Sequence, residues 1–114
     1  MADDQPPPTL PQPPDHYQIP IQLLEQWIAL SPSERLNIIF TKQDIDQFYF
    51  AFQRLAEAQS QLEASLVSWS NGRLEEANRA LAEFRRLNVE SQNNFKQFFT
   101  GLMVAAFKGR ADAR

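Results

Sequence analysis

Two long segments without proline or glycine constrain the fold of this chain more than any other feature. They run from Lys42 to Ser70 and from Arg73 to Thr100, and only Asn71 and Gly72 separate them. Proline and glycine are the residues that interrupt helices most strongly, and glycine takes the positive φ that ends a helix at little cost. The sequence therefore predicts two long helices, at 42–70 and 73–108, joined by a tight turn at Asn71-Gly72.

In each of the two segments, a row of mostly apolar residues recurs at alternating steps of three and four, as in the heptads of a coiled coil. The first row contains Ile45, Phe48, Phe52, Leu55, Gln59, Leu62, Leu66 and Trp69, and the second contains Leu74, Ala77, Leu81, Phe84, Asn88, Ser91, Phe95, Phe98, Leu102 and Ala105. When the chain folds back at the turn, each member of one row meets a member of the other. The pattern predicts an all-α fold, a long antiparallel helical hairpin with a coiled-coil-like seam.

Three positions of the predicted seam are polar, namely Gln59, Asn88 and Ser91. A polar group inside a seam typically fixes the register, because slipped pairings leave it against apolar neighbours. The alternative is a hydrated pocket or a partner site halfway along the hairpin. We favour register control.

The chain before the hairpin divides into a proline-rich tail and two short helices. Seven of the eight prolines fall within the first twenty residues, so residues 1–19 are expected to be extended or disordered. Apolar spacing after Pro20 predicts a helix at 20–30. Ser31-Pro32-Ser33-Glu34 is typical of a capping box and predicts a second helix at 32–40. We expect both to pack at the open end of the hairpin, giving a helical domain at 20–108 and a flexible C-terminus at 109–114.

The open end of the hairpin carries more apolar side chains than one seam buries. Phe50, Phe99, Met103 and Phe107 lie beside the seam and form the candidate interface. Since each fully buried Phe contributes about 1.5–3 kcal/mol, leaving them in water forgoes stability on the scale of a small domain. The sequence predicts a homodimer, two hairpins packed as a four-helix bundle with the short helices outside, and a different protein partner is the alternative.

Residue types that carry catalysis or bind metals are scarce. The chain has no cysteine, and His16, its only histidine, lies in the proline-rich tail. No glycine-rich phosphate loop, nucleophile motif or metal-ligand spacing is present. The sequence predicts no catalytic residue, cofactor or metal, and it favours a non-enzymatic protein–protein interaction, adaptor or assembly module.

Charge and hydropathy indicate the surroundings of the chain. The net charge of −3 and the pI near 5.1 argue against nucleic acid, which is bound through clustered Lys and Arg. A DNA-binding regulator that uses residues 33–52 as a compact helix pair is a distant alternative. The start of the chain lacks the pattern of a secretory signal, and the longest apolar stretch, 98–107, is about half of the roughly 20 residues that cross a membrane. We expect a cytoplasmic protein without a membrane span.

Trp69-Ser70-Asn71-Gly72 is similar to the Trp-x-Gly turn of the WXG family of small secreted helical hairpins, which often work as dimers. The turn has one residue more than the family pattern, and the family's C-terminal Tyr-x-x-x-Asp or Glu pattern is missing. The resemblance implies a secreted helical hairpin as the alternative function.

Overall fold

The computed structural model describes residues 15–112, and its secondary structure there is entirely helical. Helix α1 spans Ile21–Ile28, α2 spans Lys42–Ser70 and α3 spans Leu74–Asp112. The two long helices pack against each other, and α1 contacts α3. The all-helical class and the two long packed helices are confirmed, and α3 ends four residues later than predicted. Residues 1–14 of the predicted tail lie outside the described residues.

The ends of α2 follow from local hydrogen bonds. At its start the backbone N–H of Asp44 donates to Thr41 Oγ1 (3.2 Å) and the N–H of Thr41 donates to the Asp44 carboxylate (2.9 Å), which is a complete capping box. At its end Gly72 has a φ of +77°, and the N–H of Arg73 donates to the Ser68 carbonyl at 2.8 Å. This is the Schellman arrangement, in which a left-handed glycine closes a helix.

Buried hydrogen bonds show how α2 and α3 lie together. Near the turn, Ser65 Oγ donates to the Ala77 carbonyl (2.9 Å), and far from it Ser91 Oγ donates to the Ala51 carbonyl (2.8 Å). Because the second pair encloses the first along the chain, the two helices run in opposite directions. A serine side chain is short, so these bonds also require the helix backbones to lie close together.

Residues 15–20 lie along α3 and are held by side chains of that helix. The N–H of Tyr17 donates to Asn93 Oδ1 (2.7 Å), and Asn93 Nδ2 donates to the Asp15 carbonyl (2.8 Å). One amide side chain thus satisfies backbone groups two residues apart. Residues 15–19 contain no helix, as predicted for an extended segment, and the contacts with Asn93 place them beside α3.

The predicted helix at 32–40 does not form, although the sequence carries a capping motif at its start. The Ser33 N–H donates to Ser31 Oγ (3.3 Å), but only a single turn follows. Exposure then alternates from residue 34 to residue 39, as it does in an extended chain. Nine helical residues span only about 13 Å, whereas an extended segment of that length reaches about twice as far. The connection from α1 to α2 passes the last turns of α3, where the Asn37 backbone lies against Gly109. The helix pair at 33–52 on which the DNA-binding alternative depends is consequently absent.

Candidate interaction surface

A cluster of five phenylalanine rings occupies one flank of the α2–α3 pair. The rings of this phenylalanine cluster make five mutual contacts, with centroid distances from 4.8 to 5.7 Å. Its members are Phe40, Phe48, Phe52, Phe95 and Phe98. Edge-to-face pairs such as Phe48–Phe52 and Phe52–Phe95 add about 0.5–1.5 kcal/mol each beyond their buried area. The contacts hold the rings in one arrangement on the surface.

The phenylalanine cluster is only partly covered by the chain itself. Phe40, Phe48 and Phe52 each expose more than a third of their surface, and Tyr49, one residue further along α2, is 60% exposed. A fully exposed aromatic residue has about 200 Å² of accessible surface, so these four residues together leave roughly 400 Å² of aromatic surface in water. The largest apolar patch on a typical monomer is about 300–600 Å² and often serves a function.

Helix α2 carries two rows of residues at seven-residue spacing, and they have opposite environments. The inner row, Ala51, Ala58 and Ser65, is buried against α3. The outer row consists of Ile45, Phe52, Gln59 and Leu66. Its three apolar side chains are each at least half exposed, and Gln59 is also exposed. A seven-residue apolar row is what one helix presents to another helix in a coiled coil. Within the described part of the chain no helix covers the outer row, although Phe52 contacts Phe95 of α3 at its edge.

The observed contact face of α2 thus differs by one residue from the predicted seam. Four seam positions of the sequence analysis, at 45, 52, 59 and 66, form the outer row, whereas their immediate neighbours in the chain, at 51, 58 and 65, contact α3. Small side chains let two backbones approach closely, and larger residues in the inner row would hold the helices apart. The large apolar residues are displaced to the flank for this reason.

Charged side chains are absent from the outer-row face over more than four turns of α2. Between Ile45 and Leu62 the charged residues are Asp46, Arg54 and Glu57. They point away from the outer row at 3.6 residues per turn, and Arg54 donates to the Glu57 carboxylate at 2.8 Å. Between Ile45 and Leu62 the outer-row face is therefore uncharged, and Glu63 is the first charged residue on it.

An ion-pair network on α3 centres on Arg86. Its guanidinium donates to the carboxylates of Glu83 and of Glu90, the latter at 2.8 Å. The hydrogen bond from Arg86 lowers the pKa of the Glu83 carboxyl, with partial burial acting in the opposite direction, and the same bond raises the pKa of Arg86. These charges satisfy one another within one helix, so they do not converge on a binding site.

The structure does not bring the four residues of the predicted interface together on one exposed surface. Met103 is completely buried, and Phe99 and Phe107 are half-buried. The ring of Trp27 in α1 covers Phe99 edge-to-face at 5.3 Å. Phe50 alone is exposed (53%), and it borders a polar groove with Arg54, Glu90 and Asn94.

The three polar seam residues also separate. Ser91 is fully buried and donates to Ala51, Asn88 is half-buried, and Gln59 lies in the exposed outer row. Asn93, which holds the backbone of Asp15 and Tyr17, is not among the residues that the sequence predicts for a site. Nothing in the local sequence pattern distinguishes it from Asn94 beside it.

Among the described residues, no group of three or more His, Asp or Glu side chains is arranged to hold a metal ion. None of the helices in this part of the chain combines the length and the apolar character needed to cross a membrane. Comparisons with protein-family models, with curated proteins and with solved structures find no match.

Proposed function

We propose that this chain is a non-enzymatic protein–protein interaction module that assembles with its partner through the outer-row face of α2 and the adjoining phenylalanine cluster. The observation that carries the proposal is the outer row itself. Ile45, Phe52 and Leu66 are 50–60% exposed although they have the spacing of residues that pack against a helix. The partner surface that fits this row is an apolar helix face.

The architecture suits such a role because the binding face is supported by rigid elements. Helix α2 is anchored along its inner row, and its first turn is closed by the capping box at Thr41 and Asp44. The rings of Phe48 and Phe52 are held by Phe95 of α3. A preorganised surface loses little conformational entropy when a partner binds.

Affinity capture with the immobilised chain tests this function. The bait set consists of the wild type, Phe52→Glu, and Val104→Glu as a control of equal exposure on α3. We expect the wild type and the Val104→Glu variant to capture the same proteins, including other copies of the chain. The amount of these proteins captured by Phe52→Glu should fall to background. Identical binding to all three baits would show that the outer-row face is not the binding surface.

A further inference from the structure

We propose that the outer-row face binds a second copy of this chain. The α2 helices of the two copies pack antiparallel to each other, about a two-fold axis between Leu55 and Ala56. This inference rests on the proposed function, since it names the partner for the same surface. It replaces the dimer contact predicted at the open end, where Met103 is buried and Phe99 is covered by Trp27.

The spacing of the outer row is self-complementary in this register. With the axis between residues 55 and 56, Ile45 of one copy lies level with Leu66 of the other, and Phe52 lies level with Gln59. Because a two-fold interface uses the same patch twice, each of these layers occurs again on the other side of the axis. All four outer-row residues of both copies are then paired. Moving the register by one heptad in either direction leaves one layer of each copy without a partner.

The charge distribution agrees with a partner of identical sequence. An interface about a two-fold axis brings residues near the axis against their own copies, so any charge there opposes a like charge. No charged residue of the outer-row face lies between Ile45 and Leu62, and the first one, Glu63, is about two turns from the axis. This uncharged stretch cannot form ion pairs with a charged partner protein. It also causes no electrostatic repulsion when two copies of the chain pack together there.

The exposed area agrees with the requirement of a stable dimer. A standard interface buries about 800 Å² on each partner, of which roughly 57% is apolar, so each copy contributes about 450 Å² of apolar surface. The exposed rings of Phe40, Phe48, Tyr49 and Phe52 supply about 400 Å² of this. Ile45 and Leu66, both more than half exposed, provide the remainder.

Sedimentation equilibrium of the full chain at micromolar concentration measures the assembly. We expect the wild type to be a dimer and Phe52→Glu to raise its dissociation constant by about 100-fold or more, because symmetry places two unpaired charges in the interface. Leu66→Glu is the second variant, since Leu66 takes no part in the ring contacts and its replacement leaves the phenylalanine cluster intact. Phe50→Glu is the matched control. Phe50 lies on the same helix as Phe52 and is similarly exposed, but on the opposite flank, so this variant is expected to stay dimeric.

Cysteine cross-linking locates the two-fold axis. The chain contains no cysteine, so an introduced one reports a single position. Ala56→Cys, beside the axis, forms a disulfide-linked dimer under mild oxidation. Ala64→Cys, which is also exposed on α2 but points away from the outer row, does not.

The outcomes separate this inference from the proposed function. The α2–α2 dimer is overturned if the wild type is monomeric at all these concentrations. It is also overturned if Phe50→Glu dissociates the dimer while Phe52→Glu and Leu66→Glu do not. If a monomeric wild type still captures a different protein that Phe52→Glu does not, the interaction function stands without the dimer. If neither self-association nor capture that depends on Phe52 is found, both proposals fail.

Discussion

The inner row shows how single small side chains control the packing of the long helices. Ala51 and Ala58 have no solvent exposure, and Ser65 is nearly buried and reaches the backbone of α3. Side chains of this size leave no room for additional methylene groups. The distance between α2 and α3 is therefore set at the inner row and not at the larger residues that flank it.

Ala58→Leu is predicted to lower the free energy of unfolding by about 1–3 kcal/mol, because the added methylene groups force the two helices apart. Ala64→Leu, the same substitution at an exposed position of the same helix, should leave it nearly unchanged. Chemical denaturation of both variants followed by circular dichroism provides the comparison. Equal stability of the two would mean that the inner row is not the contact face.

The ion pairs of Arg86 lead to a prediction about pH. Arg86→Gln removes the bonds to both Glu83 and Glu90 and should cost about 0.5–1 kcal/mol at pH 7, since the side chains are about one-third exposed. The pKa of Glu83 is lowered from its ordinary value of 4.5 in the folded chain, so its contribution is complete above that value and is lost as the pH falls through the lowered pKa.

Denaturation curves at several pH values test this dependence. The difference between the wild type and Arg86→Gln should shrink as the pH falls below 4.5, and Arg73→Gln, which removes a longer and more exposed pair with Glu76 at 3.7 Å, should show little effect at any pH. A difference that grows on acidification would contradict the assigned direction of the pKa shift.

At the scale of the elements, the glycines of α3 have different roles. A side chain added at Gly101 would have no neighbour within 4 Å, whereas one added at Gly109 would come within 3.0 Å of the Asn37 carbonyl oxygen. The extended connection between α1 and α2 thus passes directly over Gly109. Its close approach to α3 depends on the missing side chain at that position.

Gly101→Ala is predicted to stabilise the chain by about 0.5–1 kcal/mol, because alanine loses less backbone entropy in a helix interior. Gly109→Ala has the same advantage in helix propensity but must displace the backbone at Asn37, so its net effect should be destabilising. Thermal unfolding of the two variants gives the sign of each. Stabilisation by both substitutions would place the 31–41 connection away from α3.

At the scale of the whole molecule, the chain is elongated. Its principal extents are 65 × 36 × 27 Å and its radius of gyration is 19.9 Å, compared with about 13 Å for a compact domain of this length. A long two-helix body has much surface for its volume, and the described residues before α2 lie mainly along α3. The uncovered outer-row face is a consequence of this shape.

Small-angle scattering should distinguish the proposed side-by-side dimer from an end-to-end one. The two-fold axis lies close to the middle of α2, so two copies overlap over the full length of that helix. Helix α3 is longer and projects by about 15 Å at each end of the dimer, so the largest dimension should rise only modestly above the 65 Å of the single chain while the mass doubles. An increase in the largest dimension toward twice that value would indicate contact through the ends of the helices.

The sequence by itself determined the all-helical class, the long helices and the turn between them. Each of these depends on local chemistry, such as the glycine at positive φ and the long segments without helix breakers. The helix starting at Lys42 is also local, since Thr41 and Asp44 lie within one turn.

Only the tertiary structure decided which face of α2 meets α3, whether residues 32–40 form a helix, and where residues 15–19 lie. The first depends on how closely two backbones approach, which favours Ala58 over the larger apolar neighbours that a hydrophobic pattern selects. The second involves the close passage of the connection over Gly109, and the third involves side chains of α3 such as Asn93, which is 76 residues away along the chain from Tyr17. Such constraints arise between segments far apart in sequence, and local propensity contains no information about them.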